Sequence, residues 1–384
     1  MKIAYIMRYW PVYGGGETVT VSLANELVKR GHDVHILYNT YKDCNPMPYQ
    51  LDGRIVQKKM VTIENYTLND VDEMHRYLVD NNIDVMINQW GATNLCYDAK
   101  RNTTTKLVTC WHLDVVQKQR AASMKEKILR FFIRDKMFQK FRERKQLQNH
   151  YNNYLKSDKY VFLSKSFADC YQRLSRLHDY EKKITAISNP LTYNLSYDVQ
   201  NFPRKKRQVL LVGRLFEYHK RISLALKIWK QIELDSRFDE WTFKIVGDGP
   251  DRQSSMVLAE SLELKRVSFE GFKDPRPYYE ESAIFVMTSA FEGFGMTLVE
   301  AQQYGVVPVV MDSYTSLHDI LEHKKNGIVV DDRDVNGFVT EMKCLMLNQN
   351  FRESLALNGL ESCKKFKVHF IVDSWEKLLN QLIG

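Results

Sequence analysis

Short β-branched runs of strand length alternate with stretches of helical periodicity along the whole chain, and that alternation restricts the fold to a parallel α/β class. Residues 2–7 read as a strand, followed by the glycine turn Tyr13-Gly14-Gly15-Gly16-Glu17. From Thr18 to Arg30 a helical stripe runs through Val21, Leu23, Ala24, Leu27 and Val28. Gly31 ends it, and residues 32–37 form the next β-rich run, which completes a βαβ unit. Further strands are expected at 84–87, 106–110 and 159–163. After Ser188-Asn189-Pro190 the stretch to Lys206 mixes Asn, Pro, Tyr and basic residues without periodicity and reads as a linker. Strand runs then resume at 208–212, 243–246, 267–269, 283–287 and 306–310. A chain of 384 residues holds two domains of ordinary size. Two Rossmann-like, doubly wound halves are therefore expected, 1–190 and 191–365.

The densest chemistry lies in Glu292-Gly293-Phe294-Gly295-Met296-Thr297-Leu298-Val299-Glu300, between the run 283–287 and a helical stretch that Gly305 stops. In an open α/β sheet, ligands bind at the carboxyl ends of the strands, where such a strand-to-helix turn sits. Free N–H groups at the helix start attract an anion such as a phosphate. Both acids can reach a ligand lying across that edge through its hydroxyls. The plain rival is an acid favoured by the helix dipole and a second on a solvated helix face. In the same half, Val209-Leu210-Leu211-Val212-Gly213-Arg214-Leu215 ends a strand on an arginine, with Lys220-Arg221 before the next helix. A guanidinium can fork two phosphate oxygens and an ammonium adds a compact charge, although solvated surface is the commoner fate of such residues. Gly14 to Gly16 fit neither G-x-G-x-x-G nor a Walker lysine motif, so dinucleotide and P-loop chemistry are disfavoured and a tight turn is the alternative.

Composition excludes other classes. The chain is 44% hydrophobic and 27% charged, the balance of a globular protein. The six cysteines are scattered, with no C-x-x-C and no Cys/His cluster of zinc spacing, which points to a reduced cytosolic setting. The first residues are interrupted by charge too soon for a signal peptide, and no window has the apolar length of a membrane span. Net charge is +8, and Lys118 to Lys145 alone carries 11 Lys/Arg against 3 Asp/Glu. There Ile128, Leu129, Phe132, Ile133, Met137 and Phe141 can share one helix face, with Lys127, Arg130, Arg134, Lys140 and Arg144 largely elsewhere. A basic amphipathic helix of this kind suits an anionic membrane surface or, alternatively, packs its apolar side inward. No nucleic-acid motif accompanies the charge, so nucleic acid is not an expected partner.

The order of Gly15-Gly16-Glu17, Gly213-Arg214-Leu215 with Lys220, Val246-Gly247-Asp248-Gly249-Pro250, Glu292-Gly-Phe-Gly to Glu300, and Asn326-Gly327-Ile328-Val329-Val330 resembles the retaining nucleotide-sugar glycosyltransferases of family 4. The likeness is strong over 207–345, moderate over the first 40 residues and loose from about 41 to 190. It implies the GT-B architecture, with two Rossmann-like domains facing a central cleft and the final helix, 366–384, packed back on the first domain. It further implies that Arg214 and Lys220 bind the donor diphosphate, that Glu300 binds the ribose and that Glu292 lies at the sugar hydroxyls. Phe294, Gly295, Met296 and Thr297 would supply backbone at the sugar and phosphates, and Gly15 and Gly16 a glycine loop over the diphosphate. His112, in Thr109-Cys110-Trp111-His112-Leu113-Asp114, resembles the family histidine near sugar and acceptor; a lone histidine at a strand end is otherwise more often structural.

The activity implied is transfer of a hexose-type sugar from a nucleotide diphosphate sugar, with UDP the expected nucleotide, to a lipid-linked or polysaccharide acceptor in surface glycan synthesis. Retention would come from the leaving diphosphate assisting deprotonation of the acceptor, with cationic groups stabilising its charge. No metal or separate cofactor is expected: Asp332-Arg333-Asp334 spells D-x-D but sits in an acidic, surface-like stretch after a β-run. The expected location is the cytoplasm, peripheral to the inner face of the membrane. A nucleotide-sugar epimerase on the same fold and a non-catalytic sugar-binding paralogue are the alternatives.

Overall fold

The structure, a computed structural model, describes residues 1–11, 14–41, 50–60, 65–89, 93–116, 135–175, 182–193 and 197–384. The chain divides into two compact units, Met1–Pro190 with Val368–Gly384, and Leu191–Lys367.

The first domain is a seven-stranded sheet: β1 (Lys2–Trp10), β2 (Asp33–Tyr41), β3 (Val56–Lys59), β4 (Val85–Asn88), β5 (Lys106–Trp111), β6 (Lys159–Phe162) and β7 (Ile184–Ala186). Their order is β3-β2-β1-β4-β5-β6-β7, and every neighbouring pair is parallel. The chain reverses winding direction between β1 and β4, which makes their carboxyl ends the topological switch point. The inner strands are buried on both faces, as β4 shows along its whole length. The helix expected from Thr18 begins earlier, at Gly15, and ends at Lys29. Gly14, in extended backbone, caps it, and its carbonyl accepts the Thr18 N–H at 3.0 Å. The expected glycine loop is thus partly the first helical turn.

The last helix, Val368–Ile383, belongs to this first domain and buries Ile371, Val372, Trp375, Leu378 and Leu379. Arg30 anchors it, donating to Asp373 at 2.6 Å, Glu376 at 2.7 Å and the His369 carbonyl at 3.0 Å.

Residues 117–134 of the basic stretch lie outside the described residues. From Asp135 the chain is a helix to Lys156. Its inward face carries Phe138, Arg142 and His150, whereas Met137 and Phe141 are 61% and 49% exposed. Met137 and Phe141 therefore do not form the packed side of this helix; they are displayed beside the exposed Lys140, Arg144 and Lys145. No helix among the described residues is long and apolar enough to cross a membrane.

The second domain is a six-stranded parallel sheet of order β10-β9-β8-β11-β12-β13. Its strands are β8 (Lys206–Val212), β9 (Thr242–Val246), β10 (Val267–Gly271), β11 (Ser282–Met287), β12 (Val307–Asp312) and β13 (Ile328–Asp331). The switch point here falls between β8 and β11. Helix Ile222–Glu233 covers one face with Ile222, Ala225, Leu226, Trp229 and Ile232, against Val209, Phe243 and Ile284 in one core. The presumed linker is part of this domain: Leu191, Thr192 and Tyr193 are buried, and the Gln303 side-chain amide donates to the Tyr193 carbonyl.

Candidate active site

The four charged residues singled out in the second half gather at the carboxyl ends of β8 and β11. Arg214 follows β8 in a loop locked by the next strand connection. The Gly213 N–H donates to the Val246 carbonyl at 3.0 Å, and the Leu215 N–H to the Asp248 carbonyl at 2.9 Å. This approach requires Gly247: its φ is +139°, and a Cβ there would stand 1.9 Å from the Gly213 carbonyl oxygen. Arg214 is left exposed and makes no ion pair with any described residue. Together with Phe216, His219, Lys220 and Pro250 it lines an open pocket of about 170 Å³.

Lys220 closes a four-residue helical turn, Glu217–Lys220, and lies over Gly213, where a Cβ would come within 3.2 Å of its Cε. Its ammonium meets Glu292 Oε1 at 2.5 Å, and the Ser289 hydroxyl donates to the same oxygen at 2.5 Å. The neighbouring Arg221 is engaged differently, forking the Asp332 carboxylate. The first acid of the D-x-D triplet is thus a partner for arginine. Among the described residues no three His, Cys, Asp or Glu side chains converge on a point suited to a metal.

His219, which sequence reasoning passed over, stands between Phe216 and Phe291, with ring centroids at 4.7 and 4.5 Å. Burial lowers its imidazole below the ordinary histidine range; Glu292 opposes that shift and Lys220 and Arg214 add to it. Its position immediately before Lys220 was the only available clue.

Glu300 lies in helix Met296–Gln303, which starts from Gly295 in the left-handed region, φ +83° and ψ +48°. A side chain there would be strained and would also press on the Tyr314 hydroxyl at 3.0 Å. The Leu298 N–H closes onto the Gly295 carbonyl at 3.0 Å, so the amides of Met296 and Thr297 precede the first helical bond and point out of the helix start. Phe294 is buried edge-on against Phe366 at 5.2 Å, which anchors the turn. The Glu300 carboxylate is buried: Thr192 Oγ1 donates to Oε1 at 2.5 Å and Tyr279 Oη to Oε2 at 2.9 Å. Burial raises its carboxyl above the ordinary range, while the two hydroxyls and the Lys220 charge pull the other way.

Gly15, Gly16 and His112 belong to the first domain. Gly15 and Gly16 follow β1 at that domain's switch point. Beside them, burial raises the Glu17 carboxyl. His112 follows β5 and is buried, and desolvation lowers its imidazole to about 4, so it is neutral near pH 7. The loop after it is braced by His150. Nε2 of His150 lies 2.9 Å from the Val115 carbonyl, which can only accept, so that nitrogen carries the proton and Nδ1 accepts from Tyr160 Oη at 2.6 Å.

Residues 13–193 match the family described as Glycosyltransferase Family 4, and residues 196–362 match Glycosyl transferases group 1. The chain is built from two glycosyltransferase domains. It is 24% identical over 395 residues to the GalNAc-alpha-(1->4)-GalNAc-alpha-(1->3)-diNAcBac-PP-undecaprenol alpha-1,4-N-acetyl-D-galactosaminyltransferase of Campylobacter jejuni, covering 100% of this chain and 99% of the relative. Among solved structures, Anabaena HepE in complex with UDP and glucose superposes with a TM-score of 0.73 at 16% identity, over 99% of each chain. The apo lipopolysaccharide outer core galactosyltransferase WaaB does so with 0.70 at 17% identity, again over 99% of each. The two parallel α/β domains are those of the GT-B glycosyltransferases.

Proposed function

We propose that this glycosyltransferase moves a hexose-type sugar from a UDP-sugar to a lipid-linked or polysaccharide acceptor in surface glycan synthesis, with retention at the anomeric carbon. The observation that carries this reading is the pocket where Arg214 and Lys220 converge at the switch point of the second sheet, beside Glu292 and a helix N-terminus. Two cations of this geometry suit a diphosphate, and the outward amides of Met296 and Thr297 suit its oxygens or those of the sugar. The HepE structure holds UDP and glucose, and the Campylobacter relative acts on a glycan carried by PP-undecaprenol; both favour this choice of donor and acceptor.

In the unliganded protein Lys220 and Glu292 neutralise one another. A donor would divide them, its diphosphate taking the ammonium and its sugar hydroxyls the carboxylate, while Glu300 receives the ribose. As the glycosidic bond breaks, charge gathers on the leaving diphosphate, where Arg214 and Lys220 stabilise it without a metal ion. That oxyanion is then the base nearest the incoming hydroxyl, on the face the leaving group vacates. To His112, held neutral, we assign the sugar and acceptor, and to Gly15 and Gly16 the diphosphate. The exposed Met137 and Phe141, flanked by Lys140, Arg144 and Lys145, form the face that meets an anionic membrane carrying the acceptor, on its cytoplasmic side.

A thermal-shift comparison of UDP, GDP, ADP and their sugar conjugates tests the reading, because a ligand that binds the native state raises apparent stability by mass action. UDP and one UDP-sugar are expected to raise the midpoint, with transfer surviving EDTA. No shift with any nucleotide overturns the proposal.

A further inference from the structure

Glu300 is fixed by side chains from two separate parts of the second domain. Tyr279 comes from the short helix Arg276–Glu281, and Thr192 from the aperiodic segment that precedes β8. Each donates to a different oxygen of the one carboxylate. Tyr279 is itself constrained. Its ring stacks on Tyr304, with centroids 5.6 Å apart and planes at 20°, and its carbonyl accepts from Lys205 Nζ at 3.0 Å. Thr192 is buried, and the next residue, Tyr193, is tied to the helix of Glu300 by Gln303.

An ionised carboxylate has about four acceptor sites, two on each oxygen. One hydroxyl on each oxygen leaves one site on each, which is the complement of a vicinal diol. A protonated carboxyl loses that symmetry, because one oxygen becomes a donor. Two features therefore decide whether Glu300 can hold a diol, namely its orientation and its charge, and both hydroxyls act on both.

We propose that Tyr279 and Thr192 are positioning residues, each holding one oxygen of Glu300 so that the ionised carboxylate presents its two remaining acceptor sites to the vicinal hydroxyls of the nucleotide ribose. The inference rests on the reading of Glu300 as the ribose acid. It assigns a role to two residues that carry no motif, and it explains why Leu191, Thr192 and Tyr193, at the start of a segment resembling a linker, are buried.

The direction of the pH effect follows from burial. Desolvation already raises the Glu300 carboxyl, and removing a donor raises it further, so a larger share is protonated as pH falls. Lys220 is the charged side chain acting on this carboxylate; Arg276, Glu280 and Asp274 act on Tyr304 behind it. Lys205 is pushed down by burial to about 7, so measurements below that value keep it charged. His219, at the diphosphate pocket, is common to all variants and cancels in their ratio to wild type.

The test is isothermal titration of UDP and of inorganic pyrophosphate into the full chain between about pH 6.5 and 5.5, for wild type, Glu300→Gln, Tyr279→Phe, Thr192→Val and Thr192→Ser. Loss of one hydrogen bond to a charged acceptor sets the expected weakening of UDP binding by Tyr279→Phe or Thr192→Val at about tenfold. That deficit widens as pH falls, Thr192→Ser restores binding, and pyrophosphate, which has no ribose, binds all variants alike. If Glu300→Gln binds UDP as wild type does, the ribose reading falls and the inference with it. If Glu300→Gln weakens UDP but Tyr279→Phe and Thr192→Val do not, or weaken UDP and pyrophosphate equally at every pH, positioning is refuted while the ribose reading stands.

Discussion

Replacing Lys220 with alanine separates what the Lys220–Glu292 pair does for stability from what it does for catalysis. The side chains are only 19% and 14% exposed, so this is not a screened surface pair worth a few tenths of a kcal/mol. Removing one member of a fully buried pair costs about 3–5 kcal/mol, chiefly because the other charge is left without compensation, and this pair is part-buried beside an open pocket. Ser289 still donates to Glu292 at 2.5 Å, which places the expectation at the lower end, about 3 kcal/mol. In a domain of this size each kcal/mol moves the midpoint by about 2–4 °C, so calorimetry should show a fall of about 6–12 °C in the second-domain transition. Adding Glu292→Gln to Lys220→Ala removes the orphaned charge and should restore most of that loss, while transfer from a UDP-sugar remains absent in both. An unchanged midpoint for Lys220→Ala, or no recovery in the double variant, refutes the energetic account. Near-normal turnover in either variant refutes the diphosphate clamp.

Arg214→Ala should weaken UDP binding about tenfold or more with no change in unfolding midpoint, since its guanidinium is exposed and holds no described acid; calorimetry and titration together check both halves. Gly247→Ala should destabilise the second domain by more than about 3 kcal/mol, from the 1.9 Å approach to the Gly213 carbonyl and a φ of +139°, read as loss of soluble folded protein or a lowered midpoint. His112 and His150 are each lowered by burial to about 4, against an ordinary 6.5, so the unfolded chain binds protons the folded chain does not. Their contribution is complete above about pH 6.5 and is lost as pH falls toward 4, about 3 kcal/mol for each group, which acid titration of first-domain unfolding should detect. Reversing the charge of Lys140, Arg144 and Lys145 should release the chain from vesicles containing phosphatidylserine in a sedimentation assay; unchanged binding would remove the membrane role of this helix.

The parts legible in the sequence were those whose signal is local. Buried inner strands such as Val85–Asn88 and Ser282–Met287 carry the apolar runs 85–87 and 283–287 because helices cover both faces of a parallel sheet. The edge strand Val56–Lys59 is exposed along its whole length, and Ile184–Ala186 is three residues long, so neither leaves a periodic trace. The helix after Gly14 begins three residues before its apolar stripe, because two glycines occupy its first turn. Residue types at strand ends pointed to Arg214, Lys220, Glu292 and Glu300, but their partners did not follow. Lys220 reaches Glu292 across 72 positions and Thr192 reaches Glu300 across 108, distances over which no sequence window carries information.

Those partners decide what the two glutamates are. Seven residues separate them, a spacing that by itself would also allow two carboxylates to flank one scissile bond, as an acid and a base or nucleophile do in a glycosidase. The structure gives them unlike surroundings. Glu292 faces an ammonium and a serine hydroxyl at the mouth of β11 and is neutralised there by Lys220, from the helical turn that follows β8. Glu300 is buried in a helix, accepts from the hydroxyls of Thr192 and Tyr279, and has its carboxyl raised by desolvation against the pull of those hydroxyls and of the Lys220 charge. A group that must release an ammonium before it can act suits a contact made when the donor arrives. A group already held at both oxygens suits a fixed contact that recognises a diol. These unlike surroundings favour the proposed reading, in which the two acids hold the two ends of one donor, over a matched pair flanking one bond.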